Sequence, residues 1–165
     1  MTSKWGLVML PSAHFFSGIA LCALFSTFNV LPRDFSHIGL VVAFSIIPDV
    51  DIIWSSLHRN KLTHTPIFWG FIAALIVAIN RGTWIIIPPL LFHLFLDTID
   101  YGIMVLYPFS RKKHGLRLLE KDSTRESKAL TSYLAGYLSD SRFLCAELTI
   151  MSTSMLLLAW AIACS

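Results

Sequence analysis

The residues of this sequence that could carry out chemistry are histidines and aspartates set into long apolar stretches. Two short segments, 47–65 and 93–97, hold three of the six histidines and three of the ten acidic residues. Imidazole nitrogens and carboxylate oxygens are the donors from which hydrolytic zinc, manganese and magnesium sites are built. These segments therefore predict a metal site, and catalytic sites of that kind leave one coordination position open for water.

His93 and Asp97 are four residues apart, so on a helix both side chains project from one face, one turn apart. Asp100, three residues further along, stays near the same face. An ionised carboxylate inside a bilayer is costly unless it is paired, solvated or bound to metal. A proton relay is the alternative for such an aspartate, but the histidine one turn earlier favours metal ligation.

Asp49 follows Pro48, which removes a backbone donor and opens the helical geometry at that point. The simpler interpretation is that Pro48 ends the helix and leaves Asp51 in solvent. A metal-binding role for the two aspartates is favoured because His58 and His64 follow closely, on a loop that returns to the next apolar segment.

The loop between these apolar segments also carries Arg59, Thr63 and Thr65. The planar guanidinium of Arg59 could neutralise a phosphate, and a plain anchor at the membrane surface is the equal alternative. The two threonine hydroxyls could orient His64 or cap the following helix, and capping is the simpler prediction.

The overall composition indicates a membrane protein. Of the 165 residues, 55% are hydrophobic and only 14% are charged, with a mean hydropathy of +0.67, whereas soluble domains carry about 25% charge. The length predicts a single domain over 1–165. Cys22, Cys145 and Cys164 stand singly in apolar runs, so we interpret them as small buried hydrophobes and predict neither a disulfide nor a thiolate site.

Five apolar stretches predict an all-α, polytopic membrane protein with about five transmembrane helices, since a helix needs about 20 residues to span a bilayer. The first is too long for the core of a signal peptide, so we expect it to be retained. The stretches are 5–30, 37–57, 65–79, 84–107 and 144–163.

Eleven of the thirteen lysines and arginines fall on one side of this arrangement, and the other side holds Arg33 and Arg81. The positive-inside rule then places the N-terminus in the cytoplasm and the C-terminus outside. The histidines and aspartates proposed above fall on the cytoplasmic half of the spans, as does Glu147. Whether Glu147 or His114 joins the site stays open.

The basic segment 108–143 is predicted to lie in the cytoplasm between the fourth and fifth helices. Ser123 and Glu126 have capping-box spacing, and apolar residues recur after them at helical spacing. A short amphipathic helix on the membrane surface and a packed lid helix explain this pattern equally well.

Taken in order, the motifs are His14, Ile-Pro-Asp-Val-Asp at 47–51, His-Arg at 58–59, Thr-His-Thr at 63–65, His-x-x-x-Asp at 93–97 and Tyr-Pro-Phe-Ser at 107–110. This ordered set resembles the YdjM-like family of LexA-regulated, membrane-bound, metal-dependent hydrolases. It is more distantly similar to bacterial zinc-dependent phospholipases C. The resemblance implies a metal-dependent hydrolase of the inner membrane.

We expect one to three divalent ions, Zn or alternatively Mn or Mg, and a phosphoester substrate such as a membrane lipid. The predicted metal ligands are His14, Asp49, His64, His93 and Asp97. The predicted catalytic or additional-ligand candidates are Asp51, His58 and Asp100, with Arg59 facing the substrate phosphate. A homo-oligomer is compatible with the sequence, and no nucleic-acid partner is expected. The alternatives are a small carrier of metal ions or protons, and a structural metal clamp without turnover.

Overall fold

Five α-helices make up most of the part of the chain that the computed structural model describes, which is 11–30, 34–53, 62–100, 102–116 and 138–164, without the side chains of 51–53 and 100. Within these residues there is no β-strand, which confirms the all-α class. The helices are α1 (Pro11–Thr27), α2 (Phe35–Ile46), α3 (Pro66–Ile79), α4 (Ile87–Asp100) and α5 (Ser141–Ala163). Two 3-10 segments, Ile47–Ile53 and Arg81–Ile86, continue α2 and lead into α4.

Each helix corresponds to one of the five predicted apolar stretches. Two helical stretches among the described residues are long and apolar enough to cross a membrane, Arg81–Ile99 and Ser141–Ala163. Phe35–Val50 and Pro66–Ile79 are apolar but shorter. The described residues thus include helices with the length and composition needed to cross a membrane, and the topology of five spans stays a prediction.

Side-chain caps explain where three of the helices begin. The Asp34 carboxylate accepts from the His37 backbone N–H, Thr65 accepts from Phe68, and Asp140 accepts from Arg142. Such caps satisfy backbone N–H groups that have no partner within the helix. The predicted cap at Thr65 is confirmed, and Pro66 follows it at a position that needs no backbone donor.

The second apolar stretch changes helix type at its proline. The α-helix runs to Ile46, and Pro48 lies in the tighter 3-10 segment that follows. Because proline has no N–H to donate and its ring crowds the preceding turn, a regular α-helix is disfavoured here. Asp49 is therefore presented from a 3-10 turn rather than from a continuous helix.

The fourth predicted stretch, 84–107, extends too far. The helix ends at Asp100, and Gly102, with φ 79°, donates its N–H to the Asp97 carbonyl at 2.8 Å. Glycine tolerates this left-handed conformation, which commonly terminates helices. The chain then turns back, and Ile103 and His114 exchange both backbone hydrogen bonds, at 2.9 and 2.8 Å.

α1 packs against α2, α4 and α5. Its closest approach to α2 is at Gly18, where an added Cβ would overlap the Ser45 side chain and lie 3.2 Å from Val42 Cα. The core between the helices includes Cys22, Val41, Trp69, Ile85 and Leu90. All three cysteines are free, as expected, but only Cys22 is buried, so our interpretation was wrong for Cys145 and Cys164, which lie on the exterior.

Candidate metal centre

The five predicted metal ligands meet in one place, although they come from four separate parts of the chain. His14 lies in the first turn of α1, Asp49 in the 3-10 segment after α2, and His64 in the turn before α3. His93 and Asp97 project from α4 one turn apart, as their spacing predicts.

Asp49 faces the Nε2 atoms of three histidines. Its Oδ1 lies 3.4 Å from His64 Nε2 and 3.7 Å from His93 Nε2, and its Oδ2 lies 3.6 Å from His14 Nε2. All three imidazoles therefore present the same nitrogen to one carboxylate.

Asp97 faces the same three Nε2 atoms from another side. Its Oδ2 lies 3.3 Å from His93 Nε2 and 3.7 Å from His64 Nε2, while its Oδ1 lies 3.7 Å from His14 Nε2. The donors thus surround one small volume and are not arranged as separate pairs.

These separations fit donors that share a metal ion. Most of them are too long for good hydrogen bonds between nitrogen and oxygen. Around a tetrahedral zinc with bonds of about 2.0–2.1 Å, neighbouring donors are about 3.3–3.4 Å apart. Two overlapping groups, His14 with Asp49 and His93, and His64 with His93 and Asp97, each place three donor atoms within 4.8 Å of one another.

Unpartnered polar atoms provide a second indication. Asp49 Oδ2, His93 Nε2 and Asp97 Oδ2 are buried without a hydrogen-bond partner, and their residues are at most 8% exposed. Buried polar groups are nearly always satisfied in folded proteins, because leaving them unpaired is costly. A bound cation would satisfy these three atoms together, whereas nothing in the described residues explains a fourth such atom, His14 Nδ1.

The imidazoles are held by neighbouring groups. His93 Nδ1 lies 2.7 Å from the Ser45 carbonyl oxygen, which can only accept a hydrogen bond, so Nδ1 carries the proton and Nε2 offers its lone pair to the centre. The His14 ring stacks on His93 with centroids 3.8 Å apart. His64 Nδ1 lies 3.2 Å from Thr63 Oγ1, in line with one of the two roles expected for that threonine.

Comparison with protein families identifies the family of this chain. The family model of the YdjM inner membrane proteins matches residues 9–164, which include all five donors. This chain belongs to the YdjM inner membrane protein family. The resemblance seen in the motifs is thereby confirmed, and with the two long apolar helices it indicates membrane localisation. Comparisons with curated proteins and with solved structures found no match.

The structure does not describe the side chains of the remaining candidates from the sequence. Asp51 and Asp100 have described backbones but not side chains, and His58 and Arg59 lie outside the described residues. Buried Glu147 accepts a hydrogen bond from Ser12 Oγ at 3.0 Å and belongs to neither donor group.

Two other features also lie apart from the centre. His114 is exposed and is paired through its backbone with Ile103. A cavity of about 370 Å³ between α1, α2 and α5 is lined mainly by apolar side chains, including Ile19, Val42 and Leu158, and by none of the five donors. It is therefore not the place where the donors could act on a substrate.

The role of Ser45 could not be predicted from residue types, because it acts through its backbone carbonyl, which every residue type carries. Only the approach of α2 to α4 shows that it orients His93. The available signal is that Ser45 is small, lies one turn before Pro48 and is opposite Gly18, which is typical of close helix packing. This signal does not identify a hydrogen bond.

Proposed function

We propose that this protein is a membrane-bound, metal-dependent hydrolase that cleaves a phosphoester, with membrane phospholipids as its substrate class. The convergence of three histidine Nε2 atoms on the carboxylates of Asp49 and Asp97 carries the proposal. The family's membrane location supports a lipid substrate, because the bilayer delivers lipid to an embedded site. We place the site on the cytoplasmic half of the inner membrane, following the distribution of basic residues.

In this proposal the five donors hold one or more divalent ions. Such an ion would supply Lewis acidity toward the phosphoryl oxygen and would activate water as the nucleophile. The Ser45 carbonyl keeps the His93 ring in the required orientation, and the two aspartates balance the positive charge. His64 has the most accessible side chain of the five, at 12% exposed, so substrate approaches from its side.

The packing beyond the donors favours hydrolysis over transport. One turn or more from Ser45 and His93 lie Val41 in α2, Leu90 in α4 and Ile86 in the 3-10 segment before α4, each at most 2% exposed. A carrier needs polar access from both membrane faces. A route through these side chains would have to cross a tightly packed apolar layer.

Four residues whose side chains the structure does not describe complete the proposed mechanism. Asp51, His58 and Asp100 are our candidates for the general base or for additional metal ligands, and Arg59 for contact with the substrate phosphate. These assignments rest on their positions in the sequence.

Metal content is the first test. Elemental mass spectrometry on detergent-purified protein, prepared without chelator and offered zinc or manganese, should find at least one equivalent in the wild type. His93→Ala and Asp97→Ala should lose it. His37→Ala is the matched control, because His37 also pairs with an aspartate but lies outside the centre. A wild type that stays empty would remove the site assignment.

Turnover is the second test. Release of a phosphorylated head group from mixed phospholipids should require the metal and should be lost in Asp97→Ala. Metal binding without release above that variant would eliminate the lipid hydrolase and leave a structural metal clamp or a carrier.

A further inference from the structure

Residues 102–116 form a compact hairpin at the end of α4. Ile103 and His114 pair through both backbone hydrogen bonds, and Ile103 is part of the buried core. Gly115 lies so close to α4 that an added Cβ would be 2.5 Å from the Thr98 carbonyl oxygen and 2.8 Å from Gly102 Cα. The hairpin is therefore firmly seated on the helix end.

The outer surface of this hairpin combines apolar and basic side chains. Phe109 is 87% exposed and Leu106 is 53% exposed. Arg111 and Lys112, on the returning segment, are also exposed. This combination of exposed apolar and basic side chains is found in segments that bind at a membrane surface.

The position of the hairpin in the chain also indicates that it lies at a membrane surface. It directly follows Arg81–Ile99, one of the two stretches able to cross a membrane. Non-helical backbone exposed to lipid cannot lie in the hydrocarbon region, because its polar groups would lack partners. The hairpin must then lie at the interface, where apolar side chains can reach acyl chains and long basic side chains can reach phosphates.

We propose that the hairpin 102–116 is a binding site for anionic phospholipids. Arg111 and Lys112 bind the lipid phosphates, and Leu106 and Phe109 insert among the acyl chains. Charge complementarity selects anionic over zwitterionic lipids, since each basic residue near the surface adds attraction only to a negatively charged leaflet.

The position of the hairpin also indicates how deep in the membrane the metal centre lies. Gly115 rests on Thr98, which directly follows the metal-ligand candidate Asp97. Lipid phosphates held by the hairpin would therefore lie near the level of the five donors. This consequence supports the phospholipid substrate, but lipid binding by the hairpin does not depend on catalysis.

Native mass spectrometry on protein from mixed nanodiscs tests the binding by counting retained phosphatidylglycerol and phosphatidylcholine. We expect Arg111→Gln and Lys112→Gln each to weaken phosphatidylglycerol retention about fivefold, with phosphatidylcholine unchanged. Arg81→Gln is the matched control, because Arg81 is an exposed cation at the opposite end of the same helical stretch. Unchanged retention in the two hairpin variants, or an equal loss in Arg81→Gln, would overturn the proposal.

Insertion of the apolar tip is tested with Phe109→Trp. Its added fluorescence should be quenched by lipids brominated close to the glycerol backbone, and no quenching would contradict insertion. Measuring metal content in each variant separates the two proposals. A hairpin variant that loses anionic lipid but keeps its metal supports lipid binding, whatever the outcome of the hydrolase tests.

Discussion

Histidine and aspartate side chains contact each other in two different ways among the described residues, and the pair Asp34 and His37 shows the first. At the start of α2, His37 Nδ1 lies 2.6 and 2.8 Å from the two Asp34 oxygens, so these groups satisfy each other. In the candidate metal centre, His93 Nε2 and Asp97 Oδ2 are 3.3 Å apart, and both atoms are buried without a hydrogen-bond partner. Similar residue types thus serve as a helix cap in one place and as candidate metal ligands in the other.

The cap at Asp34 predicts a specific dependence of stability on pH. The Ser36 hydroxyl, and next the His37 backbone N–H, hold the pKa of Asp34 at about 2, below its usual 3.8. Because the folded pKa is depressed, the stabilisation is present above pH 3.8 and is lost as pH falls toward 2. Asp34→Asn keeps an acceptor for the cap but has no charge.

We therefore expect wild type to have a higher Tm than Asp34→Asn above pH 3.8, with the difference shrinking toward pH 2. Thermal unfolding of the detergent-solubilised proteins, followed by circular dichroism across this range, measures it. A difference that stays constant with pH would show that the carboxylate charge does not stabilise the helix start.

At the scale of elements, the crossing of α1 and α2 sets the position of two donors. Gly18 and Ser45 are in contact at the crossing. His14 lies one turn before Gly18, and Asp49 lies about one turn after Ser45, so both donors lie on the same side of the crossing. A change in the separation of the helices would therefore change the 3.6 Å distance between His14 Nε2 and Asp49 Oδ2.

Gly18→Ala should weaken metal binding by moving α1 away from α2. Overpacking of this kind costs about 1–3 kcal/mol, and we expect metal affinity to fall about tenfold if about 1.4 kcal/mol of that strain opposes binding. Titration with zinc against a competing chelator would measure the affinity.

Gly39→Ala is the control, because a Cβ there meets nothing within 4 Å. It should leave metal affinity unchanged and slightly favour the helix. Adding Ser45→Ala to Gly18→Ala removes the overlapping hydroxyl and should recover part of the loss. Equal affinities in all of these variants would show that the crossing does not control the centre.

At the scale of the whole molecule, the orientation in the membrane follows from charge. If the chain crosses five times with basic residues in the cytoplasm, the two ends of α5 lie on opposite sides. Cys164, just beyond the helix end, would then lie outside, and the hairpin residue Lys112 would lie inside. Both side chains are exposed, so both positions suit chemical labelling.

In Cys145→Ser protein, a membrane-impermeant maleimide should label Cys164 in intact spheroplasts. With Cys164 also changed to serine, Lys112→Cys should react only in inside-out vesicles. Buried Cys22 should stay unlabelled in both. Labelling of Cys164 from the cytoplasmic side alone would invert the topology and place the metal centre on the other half of the membrane.

Much of this organisation was predictable because it depends on local chemistry. Apolar runs produce the five helices, Thr65 caps α3, and the spacing of His93 and Asp97 places both on one face of α4. The five donors were also predictable by type, since histidine and aspartate are rare in apolar stretches unless they have partners.

The remaining features depend on contacts between residues far apart in the chain. α4 stops at Asp100, short of the predicted end, where Gly102 turns the chain and Ile103 pairs with His114. The Ser45 carbonyl acts on His93 only because α2 and α4 pack together, across a separation of 48 residues. Residue types and local spacing thus determined the donors and the helices, whereas tertiary packing decided which nitrogen His93 presents, because the orientation of its ring follows from a carbonyl group far away in the chain.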